Sequence, residues 1–261
     1  MIRFIDTHIH LDGEEYDADR QQVVSRAVAS GAEMLFVPGI NLASVGTVKD
    51  VCATYPDVCR GMIGLHPEDV KADYREVLAE LRTHLDDIPW IAIGEIGLDY
   101  YWSREFENEQ QEAFEVQVEW GSERSLPLMI HSRKAQNDIV HILRGKQGVR
   151  GVFHCFTGNA HEAEELLSFD GFCLGIGGVL TFKKSNLPET LAAAVPLQRI
   201  VLETDAPYMA PVPHRGERNE SSFIVNIINR LAEVYNVSPE EVAQVTTRTA
   251  KKMFQINEPR A

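Results

Sequence analysis

No apolar run in the 261-residue chain approaches the roughly 18 residues needed to cross a bilayer, so no membrane span is expected. Cysteine is scarce, with four residues at positions 52, 59, 155 and 173. None forms a CxxC pair, which excludes a zinc-finger spacing. Four are too few to staple a fold of this length, so a reducing compartment is expected. Positive charge is also in short supply: 25 Lys and Arg stand against 39 Asp and Glu, a formal net charge of −14. That counts against a protein held on nucleic acid by a broad basic surface. It leaves room for a local cationic pocket, where a bound divalent ion can be the largest charge. There is no Pro-, Gly- or Ser-rich linker, no low-complexity tract and no self-similar repeat, which argues against a domain boundary, a disordered segment and a solenoid. The opening MIRFIDTHIHLD carries charge and histidine within ten residues, unlike a secretory leader, and a cytoplasmic location is expected.

Apolar residues make up 44% of the chain and charged ones 25%, enough to fill a sizeable core. Short apolar runs at 3–6, 34–37, 61–63, 90–93, 128–130, 151–153, 172–174 and 200–202 read as strands. Each is too short and too apolar for a half-exposed antiparallel strand and suits a parallel sheet buried on both faces. Helical periodicity lies between them. Residues 20–30 place Val23, Val24, Ala27 and Val28 on one face and stop at Gly31, a C-cap. Residues 106–123 put Phe114, Val118 and Gly121 on one stripe, and 161–167 and 222–235 read likewise. Ser238 and Pro239 open a last helix as N-cap and N1. Eight strands starting about 28 residues apart predict an α/β protein, a single-domain (β/α)8 TIM barrel over residues 1–261. A doubly wound open sheet is the alternative, weakened because no GxGxxG follows the first strand.

In such a barrel, chemistry sits at the C-terminal ends of the strands. His8 and His10 follow the first strand, Glu95 the fourth, His131 the fifth, His154 the sixth and Asp205 the eighth. The period-2 spacing of His8 and His10 turns both rings to one side and Ile9 away. A carboxylate after a buried apolar strand is costly unless paired or metal-bound. Each residue alone has a plainer reading. The His pair can bond backbone, Glu95 can pair with a barrel Arg or Lys, a single His can be a satisfied core residue, and Asp205 can cap the next segment. Together they point to a divalent metal centre. Four imidazoles, two carboxylates and no thiolate suit zinc, manganese, nickel or iron better than calcium. Six donors exceed one tetrahedral site and fit two adjacent ions bridged by a carboxylate or hydroxide.

The pieces FIDTHIHLD, GLHPED, IGEIGLDYYW, LPLMIHSR, GVFHCFTG, IGGVLTFKKS, IVLETDAPYMAP and HRGERNE resemble, in order and over nearly the whole chain, the signatures of TatD-family metal-dependent hydrolases. The resemblance implies a (β/α)8 barrel of the amidohydrolase superfamily with two divalent ions (Zn, Mn, Ni, Fe or Mg). It also implies deoxyribonuclease activity of the 3′→5′ exonuclease type. It assigns His8 and His10 to the HxH pair, Glu95 to the bridging carboxylate, His131 and His154 to the next ligands, and Asp205 to the last strand's carboxylate. It sets Glu203 beside the metals and His66 against the scissile phosphate. Asn219 belongs to the RN pair of a substrate loop. Many relatives follow that pair with an acidic residue and Pro, whereas here Glu220 leads to Ser221.

Arg133, Arg215 and Arg218 can grip phosphate oxygens bidentately, or can simply be solvated. Gly175 to Gly178 can admit a phosphate to backbone N–H groups, or can form a tight turn needing positive φ. Tyr100, Tyr101 and Trp102 can stack on a base or cap the barrel mouth. Cys155 reads as a packed thiol. The function expected is metal-assisted hydrolysis of a phosphodiester by an activated water, on DNA ends or a small phosphodiester, with no membrane and no obligate protein partner. One alternative is a binuclear amidohydrolase acting on an amide, ester or lactone, although no Lys sits at the fourth strand end to be carbamylated. The other is a nucleic-acid-binding protein with a structural metal only. The net charge counts against it, as does the thiolate-rich ligand set that closed structural sites use.

Overall fold

Strand and helix alternate along the chain as the apolar rhythm predicts. The computed structural model describes residues 2–256. In chain order the elements are β1 (Phe4–Asp6), α1 (Arg20–Ser30), β2 (Ala32–Val37), α2 (Leu42–Thr54), β3 (Cys59–Ile63), α3 (Tyr74–Thr83), β4 (Ala92–Asp99), α4 (Glu107–Arg124), β5 (Leu128–Arg133), α5 (Gln136–Arg144), β6 (Gly151–Phe153), α6 (Ala160–Leu167), β7 (Phe172–Ile176), α7 (Leu187–Ala194), β8 (Ile200–Leu202), α8 (Ile224–Tyr235) and α9 (Pro239–Met253). The strands form one sheet in the order β1-β2-β3-β4-β5-β6-β7-β8, and a helix follows each of them. This is the (β/α)8 barrel expected from the sequence. No helix among the described residues is long and apolar enough to cross a membrane.

By internal contacts the chain divides into two compact units, Phe36–His154 and the segments on either side of it. In the first, parallel ladders join β3 to β4, β4 to β5 and β5 to β6. All eight residues of β4 are buried. Helix α4 covers this sheet with Ala113, Phe114, Val118, Trp120 and Gly121. Gly121 has to be small, because a Cβ there would lie 2.4 Å from Leu128 Cδ2. In the second unit, parallel ladders join β1 to β2 and β7 to β8. Helix α8 turns Ile224, Ile227, Ile228 and Leu231 inward at the i, i+3, i+4, i+7 spacing of an amphipathic helix.

Several helix ends follow directly from their side chains. Gly31 ends α1 at φ 114°, and its amide donates back to Ala27 and Val28. Asn41 and Ser44 form a capping box on α2, and Asn159 and Glu162 another on α6. Ser238 accepts from the Glu241 amide at the start of α9, with Pro239 behind it. One face was misread: Val28 is 45% exposed, so the buried stripe of α1 is Val23, Val24 and Ala27.

The larger correction is β4. Expected at 90–93, it begins at Ala92 and runs to Asp99, so Glu95 lies within the strand and not beyond it. Likewise β5 extends through His131 to Arg133. Between Ile93 and Ile96 the β4–β5 register slips, with three steps on β4 against two on β5. Such a bulge re-aims the side chain it carries, and here that side chain is Glu95.

Candidate metal centre

Within the unit Phe36–His154, one carboxylate oxygen gathers three imidazoles. Glu95 Oε1 lies 3.1 Å from His131 Nδ1, 2.8 Å from His154 Nε2 and 3.1 Å from His66 Nε2. His131 Nδ1 and His154 Nε2 are 3.3 Å apart. The donors come from separate elements: Glu95 from β4, His131 from β5, His154 from the turn after β6 and His66 from the loop after β3. Local packing fixes each. Gly97 at φ 141° lets β4 approach β5 so closely that a Cβ there would lie 2.0 Å from the His131 carbonyl oxygen. Buried Gln117 of α4 accepts from Leu65 N and donates to Leu65 O, which pins the residue before His66.

The outer nitrogens settle how two of the rings are used. His131 Nε2 donates to Asp99 Oδ2 at 2.8 Å, which turns the Nδ1 lone pair towards Glu95. Asp99 is itself held, its amide donating to Gln110 Oε1 and its Oδ1 accepting from Tyr101 N. Burial would raise the Asp99 carboxyl, but the bonds from His131 and Tyr101 prevail and hold it below its ordinary value. Burial likewise pulls His131 down, yet Asp99 and Glu95 outweigh it and push the imidazole up to about 9. His66 differs. Its Nδ1 accepts from the Glu68 amide, so the ring hydrogen of the neutral form sits on Nε2. His66 therefore presents a donor where His131 presents a lone pair.

A second cluster forms in the other unit. His8 Nε2 and His10 Nε2 are 3.3 Å apart, and Asp205 Oδ1 lies 3.8 and 3.6 Å from them. Past β1 the chain continues extended, with Ile9 bridged in parallel to Ala206 and the Asp205 amide donating to His8 O. Asp205 adopts φ 53°, a left-handed conformation that Asp tolerates better than most residues. Fully buried Asp6 ties the cluster together. Its carboxylate accepts from the amides of His8 and Thr204 and from the hydroxyls of Thr204 and Ser221, the last at 2.6 Å. Burial pushes the Asp6 carboxyl up to about 6, against those donors. The Ser221 hydroxyl thus fastens the last loop at the place where a Pro was expected. Glu203, fully buried, accepts from the Cys155 amide.

Both clusters fit a divalent cation. Two imidazole nitrogens about 2.05 Å from a tetrahedral zinc lie about 3.3 Å apart. That is the separation in the His8–His10 pair and in the His131–His154 pair. Carboxylate-backed imidazoles with no thiolate are the donors such an ion takes. Asp99→Asn keeps the shape but removes the charge behind His131. It is expected to weaken divalent-ion affinity roughly 10–100-fold, measured by titrating the chelated protein with zinc. A loss under threefold would remove Asp99 from that role.

The remaining site expectations separate by exposure. Arg133 ends β5 exposed, its guanidinium 3.7 Å from the Tyr101 ring centre. Arg215 lies 3.7 Å over Phe182. Arg218, expected to grip phosphate, pairs with Asp19 at 2.7 Å and with Glu15 O. Asn219, expected to touch substrate, is fully buried and donates to Thr204 O and Tyr208 O. Both hold the loop in place. Among Gly175, Gly177 and Gly178 none has positive φ. Gly178 is small because a Cβ would lie 1.9 Å from Met209 O. Sequence reading missed Asp99, Asp6, Gln110 and Gln117. The one available signal was the period-2 run Glu95, Gly97, Asp99, which keeps one face of β4.

The family model described as TatD related DNase matches residues 5–255. The metal-dependent hydrolase YabD of Bacillus subtilis is 37% identical over 254 residues, covering 97% of this chain and 99% of that one. The 3′-5′ ssDNA/RNA exonuclease TatD of Pectobacterium carotovorum is 31% identical, covering 96% and 99%. Among solved structures, the TatD homologue YjjV of Escherichia coli superposes with a TM-score of 0.90 at 27% identity, over 98% of this chain and 99% of its own. From the first strand to the last helix, the chain belongs to the TatD-related DNase family of metal-dependent hydrolases.

Proposed function

We propose that the protein hydrolyses phosphodiester bonds in nucleic acid, releasing nucleotides from 3′ ends of DNA, with two divalent ions per chain. The observation that carries this is the convergence of three imidazoles on the single buried oxygen Glu95 Oε1. His8, His10 and Asp205 would hold one ion, and Glu95, His131 and His154 the other. Divalent ions so held supply Lewis-acid polarisation of the phosphoryl group and ease the deprotonation of water. A relative named as a 3′-5′ exonuclease supports the substrate class.

The chain's own residues then divide the work. Asp205 orients the attacking water and takes its proton. Glu203, the second carboxylate of that strand end, holds the turn after β6 through the Cys155 amide. His66 donates from Nε2 to a phosphoryl oxygen, as its tautomer favours, and Arg133 and Arg215 balance the remaining phosphate charge. Metal-loaded protein offered a single-stranded oligonucleotide and a chromogenic phosphodiester is expected to turn over both. Turnover of amides, lactones or carboxylic esters with neither phosphodiester cleaved would overturn the reading.

A further inference from the structure

The segment after β4 carries three consecutive aromatic residues, and they part company. Tyr100 is buried, and its hydroxyl donates to Asp138 and accepts from Gln111. It supplies the packing. Tyr101 and Trp102 stand 51% and 65% exposed, with ring centres 4.9 Å apart and edge-to-face. Covering the core therefore does not account for them. The Arg133 guanidinium lies 3.7 Å from the Tyr101 ring centre and 5.2 Å from that of Trp102. An aromatic pair with a cation against it is the composition that holds unpaired bases and their phosphates.

Its attachment is more telling than its composition. Asp99 accepts from His131 Nε2 on one oxygen and from the Tyr101 amide on the other. One carboxylate thus orients an imidazole of the Glu95 cluster and fixes the start of the aromatic pair. Arg133 is paired in register with Asp99, and His131 with Gly97. Two residues along a strand span about 7 Å, the scale of one nucleotide. A phosphate at the Glu95 cluster leaves its attached base within reach of Tyr101 and Trp102.

We infer that Trp102 and Tyr101, backed by Arg133, form a stacking subsite for the unpaired nucleobase next to the scissile phosphate. The inference rests on the phosphodiesterase reading and adds to it a specificity-determining position. Stacking on the indole requires a base freed from its pair, so the subsite favours frayed or single-stranded ends over a blunt duplex. With a formal net charge of −14, the chain has little long-range attraction for nucleic acid, and affinity has to come from such short-range contacts.

The other two tryptophans, Trp90 and Trp120, are 5% and 1% exposed, so quenching of indole fluorescence reports on Trp102. Chelated protein, which binds without cleaving, is expected to show saturable quenching with short oligothymidylate and little with a blunt hairpin of equal length. In the metal-loaded enzyme, Trp102→Ala is expected to raise KM for oligothymidylate about tenfold or more, and Trp102→Phe much less. The Trp102→Ala deficit should shrink on the same strand carrying an abasic site at its terminal nucleotide. Equal deficits on both strands, or KM within twofold of the parent, would overturn the subsite. So would quenching by the hairpin as strong as by the single strand. If no phosphodiester is cleaved the functional reading fails, and the difference in quenching between the single strand and the hairpin still decides the subsite.

Discussion

Glu95→Gln is expected to lower turnover by roughly 1,000-fold or more, equivalent to about 4 kcal/mol of transition-state stabilisation. The change keeps the side chain's volume and one oxygen, so little packing is lost on β4. What goes is the negative charge on which His66, His131 and His154 converge at 2.8–3.1 Å. A neutral amide is a poor ligand for a divalent ion, and an NH2 in place of Oε1 would set a donor against the His66 Nε2 hydrogen. Elemental analysis should therefore show less metal per chain, while the melting curve stays a single cooperative transition. A variant that keeps its full metal content and more than a tenth of the parental rate would show that Glu95 is a structural carboxylate.

Sequence reading reached the parts of this protein that depend on short-range pattern. The ladder of short apolar runs gives the barrel because strands buried on both faces need no polar alternation. The His8–His10 pair is visible because period two is a local property of extended chain. The extent of β4 was hidden for the opposite reason. Gly94, Glu95, Gly97 and Asp99 look like the end of a strand, since glycine and charge ordinarily weaken one. They stay in the strand because each charge meets an imidazole and each glycine admits a neighbouring backbone. Asp99 and Asp6 were illegible for their partners' distance along the chain. Asp99 meets His131 32 residues away, and Asp6 meets Ser221 across 215 residues. Arg218 shows the converse, since nothing local announces that Asp19 has already claimed a guanidinium suited to phosphate.

Chelation is expected to lower the melting temperature, by an amount that grows with pH. A cation present at a thousand times its Kd stabilises the fold by about 4 kcal/mol, or about 8 °C for a domain of this size. The pH dependence follows from His131. In the chelated protein its imidazole is pushed up to about 9, because the bonds to Asp99 and Glu95 overcome burial. In the unfolded chain the same ring titrates near 6.5. Folding therefore gains from this proton fully below about pH 6.5, and the gain disappears as pH rises towards 9. Asp6, its carboxyl raised to about 6, titrates mostly below this window and overlaps only its lower edge, so the comparison is read between about pH 7.5 and 9. In the loaded protein the ion takes the place of that proton, so its affinity rises over the same range. The chelated protein should lose stability from pH 6.5 to 9 while the loaded protein does not follow, and scanning calorimetry of both forms at several pH values reads the gap directly. A gap that fails to widen with rising pH would mean that His131 keeps its proton when the ion binds, and the Glu95 cluster would then not be the site that holds it.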